Sequence, residues 1–182
     1  QTNISEYSMI VEAHPYFLFI DWTSRDDAPP KYSPYFLGGV GYYSFNPQAL
    51  VGNKLIDLQP LSTEGQGLRE YPDRKPYSLR QMNLPMGLGV KFNVSNTIRV
   101  RTEFIYRKLF TDYLDDVSTT YAPRSLFPND ANGDPSIGLL LQDRSYEIDP
   151  NNMLSNVPGR QRGWSKQRDQ YIIAEIGISI NI

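Results

Sequence analysis

The last thirteen residues, QYIIAEIGISINI, alternate between apolar and other side chains. Isoleucine or alanine occupies every second position from Ile172 to Ile182, and the positions between them from Glu175 to Asn181 are acidic, small or polar. A period of two places these two sets on opposite faces of a β-strand. The segment therefore predicts a strand over residues 170–182 with one wholly apolar face.

The same alternation recurs in earlier segments of the chain. In the segment IRVRTEFIYR, apolar and aromatic side chains from Ile98 to Tyr106 share one face, while arginine and glutamate dominate the other. We predict four strands besides the last one, over residues 5–21, 34–45, 77–94 and 97–110. NVSN at 93–96 predicts a tight turn. Long loops are expected over 46–75 and 111–169, the second with a short helix at SIGLLLQD.

The composition excludes several classes of protein. The net charge of −2 gives no general attraction to nucleic acid. Without cysteine there is neither a disulfide framework nor a thiolate metal site. No apolar run approaches the roughly 18 residues of a membrane-spanning helix. The remaining classes are soluble and membrane β-proteins.

Alternation alone does not tell which face of the strands is inside. A soluble ligand-binding barrel lines its interior with the apolar face, whereas an outer-membrane barrel turns that face to lipid. The connectors alternate between short and long, aromatic residues crowd the strand ends, and the last strand is the most regular; all three features are typical of outer-membrane barrels. We therefore predict an all-β fold, an antiparallel up-and-down transmembrane β-barrel.

Five strands are too few for a bacterial barrel, which has an even number from eight upward. Residues 1–182 are therefore expected to form a single outer-membrane β-barrel domain that comprises the last five strands of an eight-stranded barrel and lacks its N-terminal strands. If the last strand ends in the periplasm, the 93–96 turn and the 22–33 connector are periplasmic and both long loops are extracellular.

Charged residues opposite the apolar faces are expected to point into the lumen. An eight-stranded barrel is only just wide enough to be filled by side chains, so these charges would pair and plug it. A selective ion pathway is the alternative. The predicted lumen network consists of Glu12, Lys91, Arg99, Arg101, Glu103, Arg107 and Glu175.

The segment FTDYLDDVSTTY at 110–121 resembles a signature of a Bacteroidetes outer-membrane β-barrel family that includes the PorG-type subunits of the type IX secretion system. Other segments are similar to this family in the same order: NISEYSMIVE, SPYFLGGVGYYSFNP, LQPLSTEGQG, LPMGLGVKF and a GRQRG-SK-RD-Y pattern at 159–171. The resemblance covers nearly the whole chain. It implies a barrel in the outer membrane of a Gram-negative bacterium.

The resemblance also implies a function. The chain would be a non-enzymatic subunit of the type IX protein secretion machinery that docks the periplasmic ring. Its partners would be outer-membrane lipid, the periplasmic ring lipoprotein and other secretion-machine subunits, without nucleic acid. The alternative is a stand-alone small barrel for envelope integrity or small-solute passage.

The acidic part of this signature is expected to cap and turn the chain where the fourth strand leaves the bilayer. Calcium binding is the alternative for the three aspartates, although no EF-hand spacing surrounds them. Basic residues before the last strand are expected to meet these acids at the same rim; they are Arg160, Arg162, Lys166 and Arg168. The predicted rim consists of Thr111, Asp112, Tyr113, Asp115 and Asp116.

Three further patterns are interpreted as structural. DANGD at 130–134 has the spacing of a calcium loop, but Pro135 and Leu141 replace the required glycine and glutamate, so we expect a turn. His14, the only histidine, has no obvious nucleophile partner and is expected to be a spacer or to form a lumen hydrogen bond. TEGQG at 63–67 lacks the lysine of a phosphate loop and is expected to be an ordinary loop. We predict no catalytic residue, metal or cofactor.

Overall fold

The structure is a computed structural model that describes residues 1–19, 30–144, 147 and 157–180. This part of the chain is mostly antiparallel β-structure with few helices. Its strands are β1 (Thr2–Ala13), β2 (Tyr32–Val51), β3 (Lys54–Asp57), β4 (Arg80–Asn93), β5 (Ile98–Leu109) and β6 (Gln170–Ile180). Its helices are α1 (Ile137–Leu141) and the 3-10 turns Pro15–Leu18, Gln59–Leu61 and Arg124–Leu126.

The strands form one sheet in the order β1-β2-β4-β5-β6, and β3 pairs with β2. The β2–β3, β4–β5 and β5–β6 pairs are antiparallel. Apart from β3, neighbours in the sheet are neighbours along the chain, as expected for an up-and-down arrangement. The all-β, antiparallel part of the prediction is therefore confirmed.

Registers across β4, β5 and β6 bring the apolar positions of the three strands onto one face. Leu88 of β4 lies opposite Phe104 of β5, and Phe104 lies opposite Ala174 of β6. Directly opposed residues share a face of the sheet, so the apolar face continues across all three strands. This face is exposed, because Phe104 retains 63% and Ile176 79% of the accessible side-chain surface.

A short hydrogen-bonded turn connects β4 and β5 where the sequence predicted it. The β4–β5 connection is closed by the backbone nitrogens of Val94 and Ser95, which donate to the carbonyl of Ile98 at 3.0 and 3.2 Å. The Ser95 hydroxyl accepts hydrogen bonds from the backbone amides of Thr97 and Ile98. The tight turn predicted at NVSN and the short helix predicted at SIGLLLQD are both confirmed.

Two predicted strand boundaries were wrong. The first strand ends at Ala13, and a 3-10 turn replaces the predicted continuation from Pro15, because proline has no N–H to donate to a ladder. The second strand continues six residues beyond Phe45 to Val51 and pairs with β3, so the loop predicted from residue 46 begins as a hairpin. The predicted connector at 22–33 lies mostly outside the described residues, as do residues 20–21 and 181–182.

Contacts divide the chain into two compact units. The sheet unit comprises Glu6–Tyr43, Met82–Leu109 and Gln170–Ile182, and the loop unit comprises Gln1–Ser5, Ser44–Gln81 and Phe110–Asp169. The sheet unit contains a buried apolar cluster of Tyr35, Leu37 and Ile105. The loop unit contains a separate cluster of Ala122, Phe127 and Leu139, against which Tyr71 and Leu126 pack.

Candidate functional site

Glu6 is the centre of the charged face of the sheet unit. Its carboxylate accepts hydrogen bonds from Nε of Arg107 at 2.9 and 3.0 Å, from Nδ2 of Asn83 at 3.0 Å and from the Tyr171 hydroxyl at 3.0 Å. These four residues come from β1, β4, β5 and β6. The predicted network did not include Glu6, whose partners lie 77 to 165 residues away along the chain.

A second group of charges on this face surrounds Glu12. Its carboxylate contacts the ammonium group of Lys91, and its Oε2 lies 3.0 Å from Nε2 of His14. Elsewhere on the same face, Arg101 and Glu103 of β5 approach each other to 3.7 Å. Five predicted network residues therefore occur in ion pairs. Glu12 pairs with Lys91, Arg101 with Glu103, and Arg107 with Glu6.

The last two predicted network residues are arranged differently. Arg99 donates from Nε to Oδ1 of Asn93 at 2.8 Å, so its partner is a neutral amide. Glu175 lies opposite Glu103 in the β5–β6 register and forms no ion pair with any described residue. Glu103 itself accepts a hydrogen bond from the hydroxyl of Tyr35. The charged residues on this face thus form several local groups.

The charges on this face are held in place by direct contacts. The side chains of Arg107 and Glu6 retain only 9% and 11% of their accessible surface. Charges removed from water require partners, and charge-assisted hydrogen bonds supply them. Such groups fix the spacing of neighbouring strands. The location of the seven residues in a barrel lumen stays a prediction, and a selective ion pathway stays its alternative.

In the acidic segment after β5, Asp116 is fully buried. Its carboxylate accepts hydrogen bonds from the hydroxyls of Thr63 at 2.5 Å and Tyr77 at 2.6 Å. Its backbone carbonyl accepts one from Nη1 of Arg162 at 2.9 Å. Its φ of +67° lies in the left-handed region, which aspartate tolerates better than most residues. Asp116 thus turns the chain and anchors the turn.

Glu64 in the TEGQG segment is a second fully buried carboxylate. It accepts hydrogen bonds from the backbone nitrogens of Ser118 and Thr119, both at 2.9 Å, and lies 3.3 Å from Nη1 of Arg162. Gly65 turns the chain beside it with a φ of +81°. We name the group Thr63, Glu64, Arg74, Tyr77, Asp116, Ser118, Thr119 and Arg162 the carboxylate staple. TEGQG is a loop, as predicted, but its role in this staple was missed.

Burial raises the pKa of the Asp116 carboxyl, although hydrogen bonds from Thr63 and Tyr77 oppose this shift. Burial also raises the pKa of Asp112, and the charges of Asp115 and Glu64 raise it further. One oxygen of the Asp112 carboxylate is buried without a hydrogen-bond partner among the described residues. A hydrogen bond from the Ser118 side chain opposes this shift in the pKa of Asp112. Asp112 therefore has fewer partners than Asp116.

The remaining rim residues have local roles. The Thr111 hydroxyl accepts from the backbone nitrogen of Tyr113 at 3.1 Å. The ring of Tyr113 stacks on that of Tyr77, with 4.6 Å between centroids, and burial raises the pKa of its hydroxyl. Asp115 is exposed, and its carboxylate accepts a hydrogen bond from the backbone nitrogen of Val117 at 3.1 Å. The five rim residues thus lie together as a structured turn.

The pairing predicted between the basic residues and this rim is confirmed for Arg162, which contacts both Asp116 and Glu64. Arg168 donates to the backbone carbonyl of Phe110 at 2.7 Å. Lys166 lines a separate cavity, described below. The sequence indicated the basic cluster, but not which of its members would turn inward.

Within the described residues, no group of three or more histidine, cysteine, aspartate or glutamate side chains is arranged to hold a metal ion. In DANGD, the Asp130 carboxylate accepts hydrogen bonds from the backbone nitrogens of Asn132 at 2.8 Å and Asp134 at 3.0 Å. A bridge between Asn129 and Pro135 closes the segment. The Asp130 side chain therefore stabilises a turn at DANGD, as predicted.

His14 has a partner that the sequence did not reveal. Its Nδ1 lies 3.2 Å from the hydroxyl of Ser33, and its Nε2 lies 3.0 Å from Glu12. This order of residues has the form of a nucleophile, a base and an orienting acid. Ser33 is buried, however, and Glu12 is also paired with Lys91. The contacts agree with the expected hydrogen-bonding role of His14.

Comparisons with protein-family models, with curated proteins and with solved structures returned no match. Among the helices that the structure describes, none has the length and apolar character needed to cross a membrane.

Proposed function

We propose that this chain contributes the membrane-spanning strands of an outer-membrane β-barrel and serves as a non-enzymatic subunit of the type IX secretion machinery. One observation carries the membrane part of this proposal. The sheet unit exposes an apolar face, and its buried face carries paired charges beside the cluster of Tyr35, Leu37 and Ile105. A water-soluble β-protein normally covers its apolar face and exposes its charges.

The exposed apolar face is continuous across β4, β5 and β6, and β1 and β2 also expose apolar side chains. A soluble monomer rarely exposes a contiguous apolar patch of more than a few hundred Å², and each Å² left in water costs about 25 cal/mol. Contact with lipid removes this cost. The large apolar side chains exposed on this face include Met9, Val11, Phe36, Val40, Leu88, Phe104, Ile172, Ile176, Ile178 and Ile180.

The buried charges support the same proposal. A soluble ligand-binding barrel requires the apolar residues to face inward, but here Glu6, Glu103 and Arg107 lie on the buried face. Paired charges suit the polar interior of a small membrane barrel, which side chains fill.

Strand length and connection length agree with a bilayer. β4, β5 and β6 have 14, 12 and 11 residues, close to the roughly 9–11 that a tilted strand needs to cross the hydrocarbon core. The β4–β5 connection is a short turn, whereas β5 and β6 are joined by the long segment 110–169. Alternation of short and long connections is typical of outer-membrane barrels.

Spin labelling tests the membrane part, and the absence of native cysteine makes each introduced cysteine unique. The variants are Leu88→Cys and Ile176→Cys on the apolar face, with Val157→Cys in the loop unit as the control. In the full chain reconstituted in bilayers, we expect labels at 88 and 176 to be accessible to oxygen and protected from a water-soluble nickel complex. Equal nickel accessibility at all three positions would overturn the proposal.

The secretion part rests on the resemblance of FTDYLDDVSTTY and the accompanying segments to the PorG-type family. The proposed orientation places the β4–β5 turn in the periplasm, where the ring lipoprotein would bind. Both Ser95 in that turn and Asn132 in the loop unit are exposed.

A photo-crosslinking amino acid at position 95, with one at position 132 as the control, tests docking in intact cell envelopes. We expect a ring lipoprotein to be captured from position 95 and not from position 132. If a well-folded barrel captures no secretion subunit from either position, the stand-alone barrel for envelope integrity or solute passage replaces this function.

A further inference from the structure

The loop unit contains a cavity of about 470 Å³ formed by the segments around residues 119–120 and 159–166. Trp164 lies at this cavity with 65% of its side-chain surface exposed. The other side chains that line it are hydroxyl, amide or ammonium groups. They belong to Thr119, Thr120, Gln161, Ser165 and Lys166.

The backbone of this cavity is held rigidly. Thr120 and Gln161 form a β-bridge, and the backbone nitrogens of Arg162 and Gly163 donate to the Thr119 carbonyl at 2.8 and 3.1 Å. A side chain at position 163 would be crowded, because a Cβ there would lie 2.7 Å from the backbone of Ser118. A preformed site of this kind loses little entropy when it binds a ligand.

Residues of the carboxylate staple form hydrogen bonds to the same segment, at Thr119 and Thr120. Glu64 accepts hydrogen bonds from both the nitrogen and the hydroxyl of Thr119. Arg74 donates to the Thr120 hydroxyl oxygen at 2.6 Å and to the Thr120 carbonyl at 3.0 Å. Since Thr120 accepts through its hydroxyl oxygen, its own O–H remains available to donate.

The exposed polar side chains at this cavity are available to a ligand. Gln161, Ser165 and Lys166 are exposed and make no side-chain hydrogen bond to any described residue. An exposed flat indole with hydroxyl, amide and ammonium groups around it offers stacking and hydrogen bonding together. A pyranose ring presents a matching combination, because one face carries C–H groups and its rim carries hydroxyls.

We infer that this cavity binds a saccharide unit, stacked on Trp164, and that Lys166 favours a sugar with a carboxylate or phosphate substituent. The volume is sufficient for one or two sugar rings. This inference does not depend on the proposed secretion function. The saccharide is either the headgroup of an outer-membrane glycolipid or part of a soluble glycan, since both present the same chemistry.

Tryptophan emission tests this inference. The chain has two tryptophans, so Trp22→Phe leaves Trp164 as the reporter. We expect glucuronate and glucose to cause saturable changes in emission, with glucuronate binding more tightly. No saturable change with either sugar would overturn the inference. A change caused by sugar-free phospholipid vesicles alone would also overturn it, because Trp164 would then be a bilayer anchor.

Variants identify the contributing side chains, with saturation-transfer NMR as the readout where Trp164 is lost. Trp164→Ala is expected to abolish sugar binding. Lys166→Gln should weaken the binding of glucuronate about tenfold and leave the binding of glucose unchanged, because only the charged hydrogen bond is lost. Lys54→Gln, at an exposed lysine of β3, is the matched control. Unchanged sugar binding in Trp164→Ala would contradict the assignment.

Competition distinguishes the two sources of the saccharide. Displacement of glucuronate by lipopolysaccharide-bearing vesicles, but not by soluble oligosaccharides, identifies a membrane glycolipid. The opposite pattern identifies a soluble glycan. Each pattern supports a saccharide site, whereas displacement by inorganic phosphate alone, with no effect of any sugar, would replace it with a simple anion site.

Discussion

Replacing Glu64 with glutamine tests whether one buried carboxylate holds the loop unit together. Glutamine keeps the shape of the side chain but removes its charge and turns one acceptor oxygen into a donor NH₂ group. That group would face the backbone nitrogens of Ser118 and Thr119 or the guanidinium of Arg162, which are themselves donors. The substitution therefore creates a donor–donor conflict in a fully buried place.

The magnitude follows from the contacts that are lost. Removing one partner of a buried ion pair costs about 3–5 kcal/mol. Arg162 keeps its hydrogen bonds to Thr63 and to the Asp116 carbonyl, both at 2.9 Å, so the lower limit of about 3 kcal/mol applies. About 1.4 kcal/mol corresponds to a tenfold change in an equilibrium constant, so the open state of the carboxylate staple should become roughly 100-fold more populated.

Amide hydrogen exchange of the full chain measures this change at the two amides that Glu64 binds. We expect the amides of Ser118 and Thr119 to exchange roughly 100-fold faster in Glu64→Gln. Glu70→Gln, an exposed glutamate in the same unit, is the control and should leave both rates unchanged. Rates in Glu64→Gln within threefold of the control would refute the reasoning, because the carboxylate would then contribute little.

Asp116→Asn should lower the thermal stability of the loop unit by about 2 kcal/mol, because the amide keeps one oxygen for one hydroxyl donor and turns its NH₂ group toward the other. Asp115→Asn, at an exposed side chain, should melt like the wild type. Asp112→Asn should stabilise the unit at pH 7, because a neutral amide avoids the cost of removing a charge from water. Because the pKa of Asp112 is raised, the wild type loses stability as the pH rises through that pKa. Below pH 3.8, the ordinary pKa of aspartate, the wild type and Asp112→Asn should therefore have the same melting temperature. Gly163→Ala should destabilise the unit, since the added Cβ would lie 2.7 Å from the backbone of Ser118; an unchanged melting temperature would contradict this.

Local periodicity was sufficient to predict most of the sheet. β4, β5 and β6 lie within three residues of their predicted boundaries, because the pattern of each strand is contained in the strand itself. The extension of β2 was missed because Asn46 and Pro47 are typical of turns. Pro47 is nevertheless buried, and the side chains of Asn46 and Gln48 both donate to the Asp57 carboxylate on β3.

The partners of the charged residues could not be predicted in the same way. Alternation places Glu6 and Arg107 each on the polar face of its own strand. It does not reveal their contact, which joins residues 101 positions apart. The inward turn of Arg162 likewise depends on Glu64, 98 residues away. Single-sequence patterns describe local geometry, whereas these pairs depend on the complete arrangement of the chain.

The carboxylate staple also determines the order in which the loop unit can form. Its contacts join positions 46, 54 and 99 residues apart, so each contact closes a large loop before any neighbouring contact compensates for the lost chain entropy. Such contacts form late, and they form together. The loop unit should consequently mature in one cooperative step, and a protease present during assembly should cleave it until that step is complete.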